Sequence, residues 1–174
     1  MDTTAALIDM NIRWLRQALS VIEGLDDTTY ASSPAKFAPH RVGGHVRHIL
    51  EFYECFIKGV ESAVIDYDAR QRERAVEQSV RTASVEICRI IRCFETSQLC
   101  GEARVRVRME DSFARGCDLM ESSISRELQV LSSHTIHHFA LIAVTLRLHG
   151  VEVDPEFGMA PSTLRYLTDK SKAA

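Results

Sequence analysis

Five of the seven histidines in this sequence fall in two tight clusters. His45 and His48 form one cluster, and His134, His137 and His138 form the other. His134 and His138 are four residues apart, so they share one face if this segment is helical. Two imidazoles in that arrangement can bind a metal ion when a third ligand comes from elsewhere in the chain. The spacing therefore predicts a three-histidine metal site, with either His45 or His48 as the third ligand.

Three neutral imidazoles leave at least one coordination position open, which is typical of catalytic rather than structural sites. A divalent ion held in this way lowers the pKa of a bound water to about 7 for hydrolysis, or holds a small thiol as its thiolate. Zinc and nickel are the first expectations because both accept imidazole, with iron and manganese next. His137 lies about 100° around the helix from His138 and is expected to be a bystander.

Hydrophobic periodicity predicts four long helices, at 5–22, 41–61, 69–97 and 124–149, and two of them carry the histidine clusters. The second carries His45 and His48, and the fourth carries the other three histidines. In an up-down-up-down four-helix bundle, side chains from these two helices can converge on one point. We therefore predict an all-α fold of this kind.

Shorter segments connect the predicted helices. Residues 104–109 alternate between arginine and apolar side chains, which predicts a strand. A partner strand is expected at 117–121, giving a small β-hairpin before the last bundle helix. Residues 26–40 have the composition of a long ordered loop, and a short helix is expected at 162–168.

Two glycines near the start of the second helix leave an alternative open. Gly43 and Gly44 are poor helix formers, costing about 1 kcal/mol each relative to alanine. Either the helix begins after them or another backbone approaches closely there. On the same helix, Phe52 and Phe56 are interpreted as core residues rather than as a platform for substrate.

Composition limits the classes of function. The chain has 174 residues, of which 45% are hydrophobic and 26% charged, as expected for one domain spanning residues 1–174. A net charge of -3 gives no basic footprint for nucleic acid or for an anionic membrane. The longest apolar run is well short of the roughly 20 residues that span a bilayer, and no secretion signal is recognisable. We expect a cytoplasmic protein that binds neither nucleic acid nor membrane.

Two motifs resemble those of a known family. Gly-His-Val-Arg-His-Ile-Leu at 44–50 and His-Thr-Ile-His-His-Phe-Ala-Leu-Ile-Ala at 134–143 are similar to motifs of the DinB-like superfamily, which includes the YfiT-type bacillithiol transferases. The resemblance implies a four-helix bundle with a three-histidine metal site. Matched motif to motif, the ligands it implies are His48, His134 and His138.

The resemblance extends over most of the chain and also bears on activity. The stretches 65–70 and 157–166 are similar to those of one branch of the family. Characterised members use bacillithiol, mycothiol and similar thiols, which favours thiol transfer over hydrolysis as the implied reaction.

Four further polar residues are candidate catalytic groups. Glu127 precedes His134 by two helical turns on the same face, where it can orient a ligand or act as a base. The alternative is an acidic residue favoured by the helix dipole near an N-terminus. Tyr67, Asp68 and Arg70 lie between the second and third helices, either above the metal or simply in a turn that starts a helix.

These observations support two hypotheses of different classes. The first is a metal-dependent thiol S-transferase or hydrolase that acts on a small-molecule substrate, for example a low-molecular-weight thiol. The second is a non-catalytic metal-binding or dimerising helical-bundle protein. The charged first half of the third helix suits a partner-facing surface, and a homodimer is expected.

Overall fold

The computed structural model describes residues 3–109 and 119–173, which are mostly helical with a small three-stranded sheet. In chain order the elements are α1 Thr3–Ile22, α2 Asp27–Ala31, a 3-10 helix Ala35–Phe37, α3 Val42–Ser62, β1 Val64–Asp66, α4 Arg74–Gln78, α5 Val80–Thr96, β2 Arg104–Arg108, β3 Met120–Ser123, α6 Ile124–Leu148 and α7 Pro161–Ala173.

The four longest helices, α1, α3, α5 and α6, surround the hydrophobic core. α1 packs against α5 and α6, and α3 packs against the same two helices. Each of the four contributes fully buried side chains, among them Leu15, Tyr53, Ile87 and Leu131. The predicted helices at 5–22, 41–61 and 124–149 are confirmed to within two residues at each end. The two histidine-bearing helices, α3 and α6, are thus direct neighbours.

A buried polar network joins α1, α3 and α6 at the centre of the core. The Asn11 side-chain amide donates to the backbone carbonyl oxygens of Leu7 at 2.9 Å and Leu128 at 3.0 Å. The Tyr53 hydroxyl donates to Asn11 Oδ1 at 2.8 Å and accepts from the Thr135 hydroxyl at 3.2 Å. Because a buried group without a partner is costly, this network disfavours other registers of α3 against α6.

The predicted helix at 69–97 is wrong, because the chain divides it into α4 and α5. Ser79 adopts an extended conformation between them, and its hydroxyl accepts from the backbone N–H of Thr82, which caps α5. Asp27 Oδ1 accepts from the backbone N–H of Val80 at 2.7 Å. Residues 69–73 precede α4 in a non-helical conformation.

The expectation of a loop throughout 26–40 is also wrong. The segment contains α2 and the short 3-10 helix. The Asp26 side chain caps α2 by accepting from the backbone N–H of Thr29 at 2.8 Å. The hydroxyl of buried Tyr30 donates to the backbone carbonyl of Val76 at 2.9 Å, which anchors α2 on α4.

The sheet is larger than the predicted hairpin. β2 lies where the arginine alternation predicts it, and its three arginines are exposed. Its antiparallel partner is β3 at 120–123 rather than 117–121, and residues 117 and 118 lie outside the described residues. On its other side β2 pairs in parallel with β1, with Ile65 opposite Val107. Sequence reasoning missed β1 because three residues are too few to show a period of two.

The C-terminal helix also exceeds its prediction, since α7 spans residues 161–173 rather than 162–168. Within residues 3–109 and 119–173, none of the helices combines the length and apolar character needed to cross a membrane.

Two glycines of α3 permit close backbone contacts. A Cβ atom at Gly43 would collide with the backbone carbonyl of Glu77, so the close approach of another backbone is the reason for this glycine. A Cβ atom at Gly59 would lie 2.6 Å from the Cα of Ile65. Gly59 therefore lets β1 pack directly on α3, and β1 leads into Tyr67 and Arg70.

We expect Gly59→Ala to lower the free energy of unfolding by about 2 kcal/mol, because the added methyl group must displace the β1 backbone. Gly44→Ala on the same helix is the matched control. Its Cβ atom would lie 3.1 Å from Cγ of the flexible Arg41 side chain, so we expect no loss and a gain of up to about 1 kcal/mol from the higher helix propensity of alanine. Urea unfolding of both variants tests this, and equal losses would contradict the close approach.

Candidate metal centre

The structure brings together the three histidines that the family resemblance selected. His48 lies on α3, and His134 and His138 lie on α6. One ring nitrogen from each lies within 4.8 Å of the other two. The Nε2 atoms of His48 and His134 are 3.1 Å apart. Two nitrogens that bind one ion at about 2.0–2.1 Å are separated by about 3.0–3.5 Å, so this pair already has the spacing of two ligands.

Aromatic side chains hold the His134 ring in place. Phe52 stacks on His134 with ring centroids 3.9 Å apart, and Tyr67 stacks with Phe52 at 4.9 Å. Phe52 is therefore buried, as predicted, but it also packs directly against a candidate ligand. Phe56 is a core residue that contacts Phe94, as expected.

All three imidazoles are neutral at neutral pH. Burial lowers the pKa of His48 to about 4, with the Arg70 guanidinium contributing. Burial lowers the pKa of His134 to about 3, with His48 contributing, and that of His138 to about 2, with His134 contributing. Neutral imidazoles at neutral pH are the protonation state that a divalent cation requires.

The His134 ring has a nitrogen without a partner. Its Nδ1 atom is buried, and no hydrogen bond to it is found among the described residues. A buried polar atom in this state costs free energy, which a bound water molecule would offset. The donor set and the spacing of the Nε2 atoms fit a divalent metal ion.

The Arg70 guanidinium opposes metal binding at the cluster. Its Nη1 atom donates to Nδ1 of His48 at 2.9 Å. A neutral imidazole that accepts at Nδ1 carries its proton on Nε2, the atom that faces His134. A metal ligand nitrogen must carry no proton, so the guanidinium has to leave Nδ1 before His48 can bind an ion through Nε2.

His45, the alternative third ligand, lies beside the cluster as a partner of His138. The Nδ1 atoms of His45 and His138 are 2.9 Å apart. The other ring nitrogen of His45 lies 3.2 Å from Nδ1 of His40. This arrangement suits a residue that orients His138. Sequence reasoning missed His40. Its position five residues before His45, just before the predicted second helix, could have indicated that the two rings lie close together. His137 contacts the ring of His138 at 5.2 Å from outside the trio.

Glu127 and Tyr67 form a buried pair behind Phe52. The Tyr67 hydroxyl donates to Glu127 Oε2 at 2.9 Å, and the Ser122 hydroxyl donates to Oε1 at 2.5 Å. Glu127 is 4% exposed and Tyr67 is 1% exposed. Burial and the adjacent carboxylate raise the pKa of Tyr67. Both carboxylate oxygens of Glu127 thus accept hydrogen bonds that attach the β1–α4 connection and β3 to α6.

The structure therefore separates the four candidate catalytic residues. Arg70 contacts a candidate ligand directly, whereas Tyr67 and Glu127 reach His134 through Phe52. Asp68 lies on the exposed surface, where its backbone N–H donates to the side chain of Asp66.

The fold and the site define a mostly helical protein with a candidate three-histidine metal centre. No family model matches the chain. The chain is 29% identical over 114 residues to FK506-binding protein 5 of Rhizopus delemar, in an alignment that covers 60% of this chain. The same alignment covers 28% of that relative, so the chain spans little more than a quarter of its length.

Replacement of a cluster histidine tests the ligand set. We expect His48→Ala and His138→Ala each to weaken zinc or nickel binding at least about 100-fold, because two imidazoles alone hold the ion poorly. His137→Ala, next to His138 but outside the trio, is the matched control and should retain near-stoichiometric metal. Calorimetry on protein without a histidine tag measures this. Retention in His48→Ala together with loss in His45→Ala would assign the third ligand to His45.

Removal of the Arg70 guanidinium should strengthen metal binding. We expect Arg70→Ala to raise zinc affinity about tenfold, because it removes both a nearby positive charge and the hydrogen bond that places the His48 proton on Nε2. Arg74→Ala, which removes an exposed arginine of α4, is the control. Competition with a chromogenic zinc chelator measures both affinities. A fall in affinity for Arg70→Ala would show that the guanidinium supports the site instead.

Proposed function

We propose that the protein binds a divalent metal ion at His48, His134 and His138 and is a metal-dependent enzyme acting on a small-molecule substrate. The observation that carries this proposal is the convergence of three neutral, half-buried imidazoles from two helices. Zinc or nickel is the proposed ion, followed by iron or manganese, because all accept nitrogen ligands. The proposed reaction is thiol S-transfer, with hydrolysis as the alternative.

We also propose that the chain is a single four-helix-bundle domain of DinB type. Three features support this assignment: the two histidine motifs, the mutual packing of α1, α3, α5 and α6, and a strand excursion before α6. The same assignment favours thiol transfer over hydrolysis. The homodimer and the cytoplasmic location expected from the sequence stay predictions.

When bound, the ion supplies Lewis acidity that lowers the pKa of a thiol or water in its open position. The protein side chains supply positioning. Phe52 fixes the ring plane of His134 by stacking, and His45 orients His138 through its Nδ1 atom. Glu127 has both oxygens engaged by Tyr67 and Ser122, so we assign it a positioning role rather than that of a base.

Arg70 is the polar side chain best placed to contact a substrate. Its guanidinium lies at the edge of the cluster and must leave His48 Nδ1 before His48 can ligate through Nε2. A guanidinium in this position can bind a carboxylate or another anionic group. In thiol transfer, the thiol sulfur bonds to an electrophilic carbon as the leaving group departs with the bonding electrons, and the thiol proton passes to solvent.

The test is conjugation of monochlorobimane by a panel of low-molecular-weight thiols, with the protein loaded with zinc or nickel. We expect at least one thiol to react about 100-fold or more faster with the loaded protein than with the metal-free protein, because the thiolate is the nucleophile. His137→Ala should retain the rate and His138→Ala should lose it.

Two outcomes separate this proposal from its alternative. Stoichiometric metal binding without acceleration for any thiol, and without hydrolysis of ester substrates, would support a non-catalytic metal-binding protein. Failure to bind any of the four metals would refute the metal centre itself.

A further inference from the structure

A row of three imidazoles leads from the candidate metal centre toward the protein surface. His138, one of the trio, contacts His45, and His45 contacts His40. His45 is buried, whereas His40 is half-buried and lines an open pocket beside the cluster. We call His138, His45 and His40 the imidazole chain.

Both contacts of the imidazole chain have the geometry of hydrogen bonds. The Nδ1 atoms of His45 and His138 are 2.9 Å apart, and the ring centroids are 5.2 Å apart. The centroid separation therefore leaves one ring radius on either side of the nitrogen contact, so the two nitrogens lie on the line that joins the rings. Nε2 of His45 and Nδ1 of His40 are 3.2 Å apart, also with centroids 5.2 Å apart, so this contact is close to end-to-end as well. An imidazole donates and accepts in its ring plane, which both contacts allow.

A chain of neutral imidazoles has a direction, because each ring carries one proton and so donates with one nitrogen and accepts with the other. If His138 donates from Nδ1, then His45 accepts at Nδ1 and donates from Nε2 to Nδ1 of His40. If His40 donates from Nδ1 instead, both hydrogen bonds are reversed and His138 carries its proton on Nε2. The chain thus couples the position of the His40 proton to that of the His138 proton.

Only the first direction leaves His138 ready to bind an ion. Its Nδ1 atom is engaged by His45, so Nε2, on the other side of the ring, is the atom that can join the nitrogens of His48 and His134. A ligand nitrogen must carry no proton, so the His138 proton must be on Nδ1. A metal-bound histidine commonly donates its second N–H to a partner that fixes its tautomer. His45 is that partner only while its own proton is on Nε2, where Nδ1 of His40 accepts it.

The surroundings of His40 favour this direction. Phe37 stacks on the His40 ring with centroids 4.3 Å apart, which fixes the ring that presents Nδ1 to His45. When Nδ1 accepts, the His40 proton is on Nε2, which is the tautomer that histidine favours in water. The open pocket that His40 lines gives water access to this end of the chain.

We propose that His40 is a positioning residue for the metal centre. By accepting from Nε2 of His45, it keeps the His138 proton on Nδ1 and leaves Nε2 of His138 free for the ion. His40 is not a ligand itself and acts through one intervening ring. This inference rests on the metal centre proposed above and adds a residue outside the trio that sets its affinity.

Two substitutions of His40 separate hydrogen bonding from packing. His40→Asn keeps an acceptor near the position of Nδ1 but removes the ring, whereas His40→Phe keeps a ring against Phe37 but removes the acceptor. We expect His40→Phe to weaken zinc binding about tenfold and His40→Asn to stay within about threefold of the wild type, measured by competition with a chromogenic chelator. A packing role would give the reverse order.

His149→Phe is the matched control, because it removes a half-buried histidine that contacts the backbone carbonyl of Ser32 instead of the cluster. We expect it to bind zinc with wild-type affinity. An unchanged midpoint of urea unfolding in His40→Phe would show that its loss of affinity does not come from misfolding.

Nitrogen-15 NMR of the imidazoles tests the proposal without any metal. In the metal-free wild-type protein we expect His138 to be protonated on Nδ1 and His45 on Nε2. We expect His40→Phe to move the His45 proton toward Nδ1 and His40→Asn to preserve the wild-type pattern. A His138 proton on Nε2 in the wild type, wild-type zinc affinity in His40→Phe, or equal losses in both His40 variants would overturn the proposal.

The two measurements also keep this proposal apart from the metal centre. If the wild type binds zinc and His40→Phe binds it equally well, only the positioning role fails. If the wild type binds none of the four metals, the metal centre fails, and the NMR spectra alone decide whether His40 sets the tautomer of His138. An unchanged His138 tautomer in His40→Phe would then overturn the positioning role too.

Discussion

The contact between α3 and α6 is the constraint on which the candidate site depends. His48 comes from one helix, His134 and His138 come from the other, and a shift by one residue would separate their ring nitrogens. The Asn11, Tyr53 and Thr135 side chains join these helices to α1 inside the core. Each lost hydrogen bond would leave a buried polar group without a partner, so the polar network sets the register of α3 against α6. The surrounding apolar side chains supply most of the stability.

The same burial prepares the imidazoles for a cation. Removing the three rings from water disfavours their charged forms, so they remain neutral well below neutral pH. Phe52 contributes to this desolvation and also fixes the His134 ring. On α3, the Phe52 side chain therefore both packs in the hydrophobic core and contacts the candidate ligand His134.

Arg70 links the connection after β1 to the histidine cluster. Its position follows from β1, which Gly59 allows to pack closely on α3 and which directs the chain toward the cluster. Its Nη1 atom donates to Nδ1 of His48, and its Nε atom is buried without a hydrogen-bond partner among the described residues. The guanidinium thus places the His48 proton on Nε2 and opposes metal binding by that atom.

The sequence by itself determined the elements whose signal is local. Hydrophobic periodicity located α1, α3 and α6, arginine alternation located β2, and the four-residue spacing placed His134 and His138 on one face, because each pattern repeats within a few turns. Residue spacing alone left His45 and His48 as alternatives and the family resemblance implied His48, but only the tertiary structure shows His48 Nε2 lying 3.1 Å from His134 Nε2, because the two residues are separated by 86 positions in the chain. The break between α4 and α5 at Ser79 and the hydrogen bond from Arg70 to His48 also depend on contacts between distant parts of the chain. Local sequence patterns could not predict either of them. Asp27 accepts a hydrogen bond from the backbone N–H of Val80, 53 residues further along the chain. The residue pattern around Val80 gives no sign of this contact.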